Sequence, residues 1–246
     1  MRNLKGKIAI VTGSSRGLGK TVAKLLAFNG ARVVINYAAD KDQAQKVVSE
    51  ITASGGHAYA IEADVRNPAE MAKLFDRTIE KFGKIDIVIN NAGIMITKFI
   101  KDTSEEDFDR TFSINTKSVF FSMKESAAKM ADHGRIINIS SSVTRVMFPA
   151  YGVYAASKAA VEQMTRVFAK EIGSRGITAN TISPGPINTA LFLKGKTDEA
   201  IGRIAGLSAF NRIAETDDIA PLVLFLASDE SHWITGQNFG INGGMA

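Results

Sequence analysis

In the segment YGVYAASK (residues 151–158), Tyr154 and Lys158 stand four residues apart, so on a helix both project from one face. A phenol with a reference pKa of about 10 is a poor acid–base group at neutral pH. A neighbouring ammonium stabilises the phenolate, so Lys158 is expected to lower that value and tune Tyr154 for proton transfer. Tyr151, seven residues before the lysine, lies two turns away and outside direct reach. A half-buried aromatic beside a solvated cation has the same spacing, so other groups must decide. Upstream, RIINISSS (135–142) reads as a strand that ends in Ser140, Ser141 and Ser142. A serine hydroxyl at a strand's carboxyl end sits where open α/β sheets bind ligands, and it can hydrogen-bond a carbonyl oxygen beside Tyr154. Asn115 falls inside a long helical stretch, where an asparagine taken alone reads as a mild helix weakener facing solvent.

A second constellation lies near the start of the chain. TGSSRGLG (12–19) runs from an apolar strand straight into the helical stretch LGKTVAKLLAFNG. Gly13, Gly17 and Gly19 suit a tight turn, close backbone approach to a pyrophosphate and close helix–strand packing. The helix N-terminus then presents unpaired N–H groups and partial positive charge to phosphates. The spacing is G-x3-G-x-G rather than G-x-G-x-x-G, and its place between first strand and first helix favours a phosphate site over an ordinary turn. The second strand ends VVINYAAD, so Asn36 occupies the expected place of an acid that would bind a free ribose 2′-hydroxyl. Arg16, inside the glycine loop, can pair with a 2′-phosphate. Both features prefer NADP(H), with NAD(H) as second choice.

These groups need a scaffold. Short β-branched runs at 7–11, 32–36, 57–63, 86–90, 135–140, 177–182 and 239–242 read as strands. Stretches 17–29, 41–54, 68–82, 105–131, 153–174 and 217–227 between them carry helical periodicity. Asn67 before Pro68, and Ser104 before an acidic first turn, are helix starts. Seven strands alternating with six helices imply one α/β Rossmann-type domain over 1–246, a doubly wound parallel sheet with helices on both faces. No linker or internal repeat divides it.

Composition narrows the function classes. Apolar residues make up 45% and charged residues 22%, as in an ordinary globular protein. The start lacks a signal-peptide pattern, no apolar run reaches membrane-spanning length, and a cytoplasmic setting is expected. Zero cysteines remove disulfides, thiolate nucleophiles and Cys-ligated metals. His57, His133 and His232 sit in no ligand motif, so no metal site is expected. The net charge of +5 is scattered, which disfavours nucleic-acid binding.

The chain resembles the short-chain dehydrogenase/reductase family along essentially its whole length. The resemblance rests on the glycine loop, Asp64 after the third strand, NNAG (90–93), Asn115, a serine before YAASK, SPGPINT (183–189) and the ending TGQNFGINGG. It implies Tyr154 as the acid–base group and Lys158 as the lysine that also binds the nicotinamide ribose. The family's serine lies thirteen residues before the tyrosine, which selects Ser141. Asn115 would hold a water in a proton relay. Asp64 and the Val65 backbone would contact adenine, and Asn91, Ala92 and Gly93 the adenosine ribose. Ser15 and Leu18 in the glycine loop, with Pro184, Gly185, Ile187 and Thr189, would complete the cofactor contacts. The implied reaction is hydride transfer to a carbonyl carbon while Tyr154 protonates its oxygen, or the reverse.

The subgroup most similar reduces 3-oxoacyl-acyl-carrier-protein thioesters, docking an acidic carrier on two basic residues. Arg175 matches one, but Asp132 stands where the other should fall, and an acid there repels an acidic carrier. The expected substrate is therefore a free ketone, aldehyde or secondary alcohol, with the carrier-linked substrate as the alternative. A non-catalytic dinucleotide-binding regulator would usually lack one of Ser141, Tyr154 and Lys158. Residues 190–210 read as a mobile lid whose Leu191, Phe192, Leu193, Ile204 and Leu207 would wall an apolar pocket, or else as an ordinary surface helix. A homotetramer is the assembly the resemblance implies.

Overall fold

The computed structural model describes residues 3–246. In chain order the elements are β1 (Ile8–Val11), α1 (Gly17–Phe28), β2 (Arg32–Tyr37), α2 (Lys41–Ala53), β3 (His57–Glu62), α3 (Pro68–Phe82) and β4 (Ile87–Asn90). Then come α4 (Glu105–Phe112), α5 (Ser118–Lys129), β5 (Arg135–Ile139), α6 (Val143–Val146), α7 (Gly152–Ile172) and β6 (Thr178–Pro184). The chain closes with α8 (Ala190–Leu193), α9 (Asp198–Ala205), α10 (Thr216–Ala227) and β7 (Asn238–Ile241). The strands form one seven-stranded sheet in the order β3-β2-β1-β4-β5-β6-β7, and every pairing is parallel.

Central strands are buried at every position because both faces of the sheet are covered. In β1, Ala9 and Val11 pack with Val22 and Leu26 of α1, Val47 of α2 and Val223 of α10. Ile10 points the other way, with Leu74 and Phe75 of α3, Val119 of α5 and Val161 and Phe168 of α7. The strand order reverses between β1 and β4, and open α/β sheets bind ligands at the carboxyl ends of the strands at such a point.

Local chemistry sets the helix ends as the sequence implies. Asn67 Oδ1 accepts from the Ala69 N–H at 2.9 Å, with Pro68 at the first helical position. Ser104 and Asp107 form a reciprocal capping box at the start of α4. The stretch read as one helix over 105–131 is interrupted, because Ser113–Lys117 winds as a π-turn between α4 and α5. The expected lid folds as the two short helices α8 and α9, neither of which contains a fully buried residue. Leu191 and Leu207 are exposed there, while Phe192, Leu193 and Ile204 are half-buried.

Candidate active site

The loops after β1 and β4 are stitched together across the crossover point. Thr12 Oγ1 accepts from the N–H groups of Asn91 at 3.0 Å and Ala92 at 3.1 Å. Asn91 Nδ2 returns a bond to the Thr12 carbonyl at 2.9 Å. Glycine is needed where these loops meet. A Cβ on Gly19 would lie 2.5 Å from Asn91 Nδ2 and 2.7 Å from the Gly13 carbonyl, and Gly13 and Gly17 have φ of +61° and +54°. A Cβ on Gly17 would lie 3.7 Å from the Thr189 methyl, so the glycine loop and the loop after β6 approach each other.

The glycine loop suits a dinucleotide phosphate. Arg16 begins α1 with no side chain capping the helix, leaving the first N–H groups of α1 facing outward with no acid in the first turn. The Arg16 side chain is exposed and forms no ion pair among the described residues. Leu18 is buried beneath the loop, and Ser15 is half-buried. Asn36 is placed differently from expectation. Its side chain is buried under the loop, where Oδ1 accepts from the Gly13 N–H at 3.2 Å and Nδ2 donates to the Ala63 carbonyl at 3.0 Å. Asn36 thus braces the loop rather than facing a ribose. The strand runs on to Tyr37, followed by exposed Ala38 and Ala39, and the next acid, Asp40, caps α2 through the Gln43 N–H at 3.0 Å. No carboxylate is left free there for a 2′-hydroxyl, which keeps the preference for a 2′-phosphate on a different basis.

Farther along the chain, Asp64 is held by two bonds from Arg66 Nε, at 3.0 and 2.9 Å, which keeps its carboxyl below the usual carboxylate range. Val65 is buried beside it. Gly185 donates its N–H to the Ile241 carbonyl at 3.0 Å, Pro184 ends β6, and Ile187 bridges to Ala214. Thr189 caps α8 through the Phe192 N–H, its hydroxyl turned towards its own chain.

The acid–base groups gather at the carboxyl ends of β4 and β5. Tyr154 and Lys158 lie on α7, only 8% and 4% exposed. Lys158 Nζ donates to the Ile139 carbonyl at 2.7 Å and lies 6.0 Å from the Tyr154 ring centroid. Burial pulls the Lys158 ammonium down to about 8. Burial also pushes the Tyr154 phenol up to about 12; its hydrogen bond with Ser141 acts against that rise and neighbouring Tyr151 adds to it. The expectation that Lys158 lowers the Tyr154 pKa is therefore corrected for the protein by itself, where desolvation outweighs the distant ammonium.

Asn115 is fully buried and does not face solvent. The π-turn swings it inward, where Oδ1 accepts from the Ile94 N–H and Nδ2 donates to the Ile94 carbonyl, both at 2.9 Å. Nδ2 also donates to Ser157 Oγ at 3.0 Å, tying the turn to α7 between Tyr154 and Lys158. A Cβ on Gly93 would lie 3.3 Å from Asn115 Oδ1 and 3.4 Å from Lys158 Nζ, so the glycine keeps close packing against both groups free of a side chain. Ser157 is a site residue that sequence reasoning missed, although it stands inside YAASK. Tyr151 stacks edge-on with Phe148 at 5.8 Å and with Tyr154 at 6.4 Å, extending an aromatic wall from the phenol. The two positive-φ residues Met147 (52°) and Ala150 (69°) bend the segment that carries this wall.

Arg175 does not reach out as a docking residue. Its Nε donates to Asp132 Oδ1 at 2.7 Å and its Nη1 to the Ala127 carbonyl at 2.7 Å, and Nη2 bonds the Met130 carbonyl.

A glycine loop suited to phosphates at the crossover point and an acid–base pair beside it define a class, the dinucleotide-dependent oxidoreductases. A family profile described as enoyl-(acyl carrier protein) reductase matches residues 13–246. The NADPH-dependent aldehyde reductase-like protein, chloroplastic, of Arabidopsis thaliana is 47% identical, with 98% of this chain and 94% of that protein covered. Versicolorin reductase stcU of Emericella nidulans is 41% identical over 98% of this chain and 96% of its own. Among solved structures, angucycline C-6 ketoreductase LanV with bound NADP superposes with a TM-score of 0.94 at 38% identity, covering 99% of this chain and 97% of that one. The chain belongs to the short-chain dehydrogenase/reductase family. It is an oxidoreductase acting on the alcohol–carbonyl couple.

The buried lysine gives the site a titration near neutral pH. Were the Lys158 ammonium to supply the proton for carbonyl reduction, that supply would be lost as pH rises through about 8. Reduction kcat is expected to fall across that value and alcohol oxidation to rise, and a pH–rate profile with a flat reduction limb would refute this role for Lys158.

Proposed function

We propose that this protein is an NADPH-dependent carbonyl reductase that converts a free ketone or aldehyde to an alcohol, with Tyr154 as proton donor. The observation that carries the reading is the Tyr154 phenol, buried beside Ser141 and one helical turn from a desolvated Lys158. Bound NADPH supplies the hydride. Arg16, the first turn of α1 and the glycine loop hold its phosphates, and Lys158 its nicotinamide ribose. Ser141 donates a hydrogen bond to the substrate oxygen and orients it against Tyr154. Tyr154 transfers its proton as negative charge develops on that oxygen. Lys158 stabilises the phenolate that forms, and Asn115, through an ordered water, connects the lysine to solvent.

Support comes from relatives named as an NADPH-dependent aldehyde reductase and as ketone reductases, one with NADP bound. The aromatic wall of Phe148 and Tyr151 favours an apolar carbonyl compound. The carrier-protein alternative is not favoured, because Arg175 is spent on Asp132 and on carbonyls of its own chain. We further propose a homotetramer, since Phe108, Phe120 and Val167 on α4, α5 and α7 are 45%, 50% and 51% exposed.

Tyr154→Phe is expected to keep NADPH binding and lose about 10²–10⁴-fold in kcat on a ketone and aldehyde panel followed by NADPH oxidation. Near-parental kcat would sink the assignment. Arg16→Ala is expected to weaken NADPH binding roughly tenfold or more and leave NADH binding nearly unchanged, as read by cofactor fluorescence. Light scattering is expected to return four times the 26.4 kDa chain mass, and a clean monomer would refute the tetramer.

A further inference from the structure

Tyr154 and Lys158 continue along one face of α7 to Glu162, four residues beyond the lysine. Glu162 is half-buried and forms no ion pair among the described residues. Its oxygen Oε1 instead accepts from three hydroxyls: Ser140 Oγ at 2.6 Å, Thr144 Oγ1 at 3.0 Å and Ser183 Oγ at 3.1 Å. The donors come from separate segments. Ser140 and Thr144 flank Ser141 on both sides, and Ser183 precedes Pro184 and Gly185 at the end of β6.

Each hydroxyl has one proton and a competing acceptor. For Ser140 it is the Lys158 carbonyl at 3.4 Å, for Thr144 the Ser141 carbonyl at 3.1 Å, and for Ser183 Asn238 Oδ1 at 2.7 Å. A carboxylate is the stronger acceptor, and negative charge lets one oxygen gather several donors. At Ser183 the competition has a chemical solution. Asn238 Nδ2 is buried with no partner. Exchanging the two ends of that carboxamide lets Nδ2 donate to Ser183 Oγ and frees the hydroxyl proton for Glu162.

We propose that Glu162 is a positioning residue, acting as an anionic clamp that registers the Ser141 segment and the end of β6 against the helix carrying Tyr154 and Lys158. The proposal rests on the reductase reading for its kinetic consequence but not for its structural one. Glu162 touches neither substrate nor cofactor in this scheme. It acts through Ser141, whose place beside Tyr154 depends on where both flanks of that serine are held. Glutamine keeps an acceptor oxygen at the same place, whereas alanine removes it.

The test compares full-length parent, Glu162→Ala and Glu162→Gln by steady-state kinetics, NADPH fluorescence titration, thermal melting and crystallography. Glu162→Ala is expected to lose about tenfold or more in kcat, as misplaced reacting groups do, with NADPH affinity nearly parental. Glu162→Gln, which keeps the acceptor oxygen but not the charge, is expected to recover part of that loss. Parental kcat in Glu162→Ala, or a folded Glu162→Gln as impaired as the alanine variant, overturns the clamp. Should Glu162→Ala fail to fold, Thr144→Val removes one tether alone. A reduced kcat with parental NADPH affinity is then expected, and an unchanged kcat overturns the proposal. If the parent itself reduces no carbonyl compound, the functional reading fails, and the crystal structures still decide the clamp. Ser141 displaced from Tyr154 in the alanine variant supports it, and an unmoved Ser141 overturns it.

Discussion

The desolvated ammonium of Lys158 is the constraint around which the rest of this site is arranged. Taking a charged amine out of water disfavours its charged form, and here the penalty pulls its pKa down to about 8. The protein offsets part of that cost with the Ile139 carbonyl at 2.7 Å. It also keeps the surrounding space small: Gly93 brings bare backbone where any side chain would press on Lys158 and Asn115. A lysine poised between its two protonation states near neutral pH suits proton resupply better than a solvated one. The same burial raises the phenol of Tyr154, so desolvation moves the two groups apart from nearly equal ordinary values, to about 12 for the phenol and about 8 for the ammonium.

Holding these groups in place requires bonds between segments far apart in sequence. The β1 and β4 loops are joined through Thr12 and Asn91. The π-turn is joined to α7 through Asn115 and Ser157. Deeper in the sheet, Asn90 Nδ2 donates to Asn138 Oδ1 at 2.7 Å, and Asn138 Nδ2 to Thr165 Oγ1 at 2.8 Å, linking β4, β5 and α7 in one buried polar chain. A buried network of this kind is stabilising only when its members find partners, so it favours a single arrangement of the elements it joins.

Much of this was readable without coordinates, and the exceptions have identifiable causes. Strands and helices followed from periodicity because a parallel sheet covered on both faces demands continuous apolar runs and amphipathic helices. The interruption of the 105–131 helix was not read: a π-turn over Ser113–Lys117 shifts the face of the residues beyond it, and one such shift is short against a long helical pattern. Asn115 consequently read as facing solvent by its own local chemistry, although the turn carries it inward. Asn36 was legible as a cofactor-proximal residue, but the direction of its side chain depends on the β2–β3 register and on the glycine loop above it.

The sequence by itself determined the chemistry available: the phenol, amine and hydroxyl at set spacings, the glycines of the phosphate loop, and the alternation that builds the sheet. Those properties are local, because side-chain identity, helical spacing and glycine's freedom at positive φ belong to short stretches of chain. Only the tertiary structure decided which way Asn36 and Asn115 point, that Arg175 is consumed internally, and that burial governs the pKa values of Tyr154 and Lys158. Desolvation and long-range hydrogen bonds depend on everything packed around a group, and no stretch of sequence contains its own surroundings.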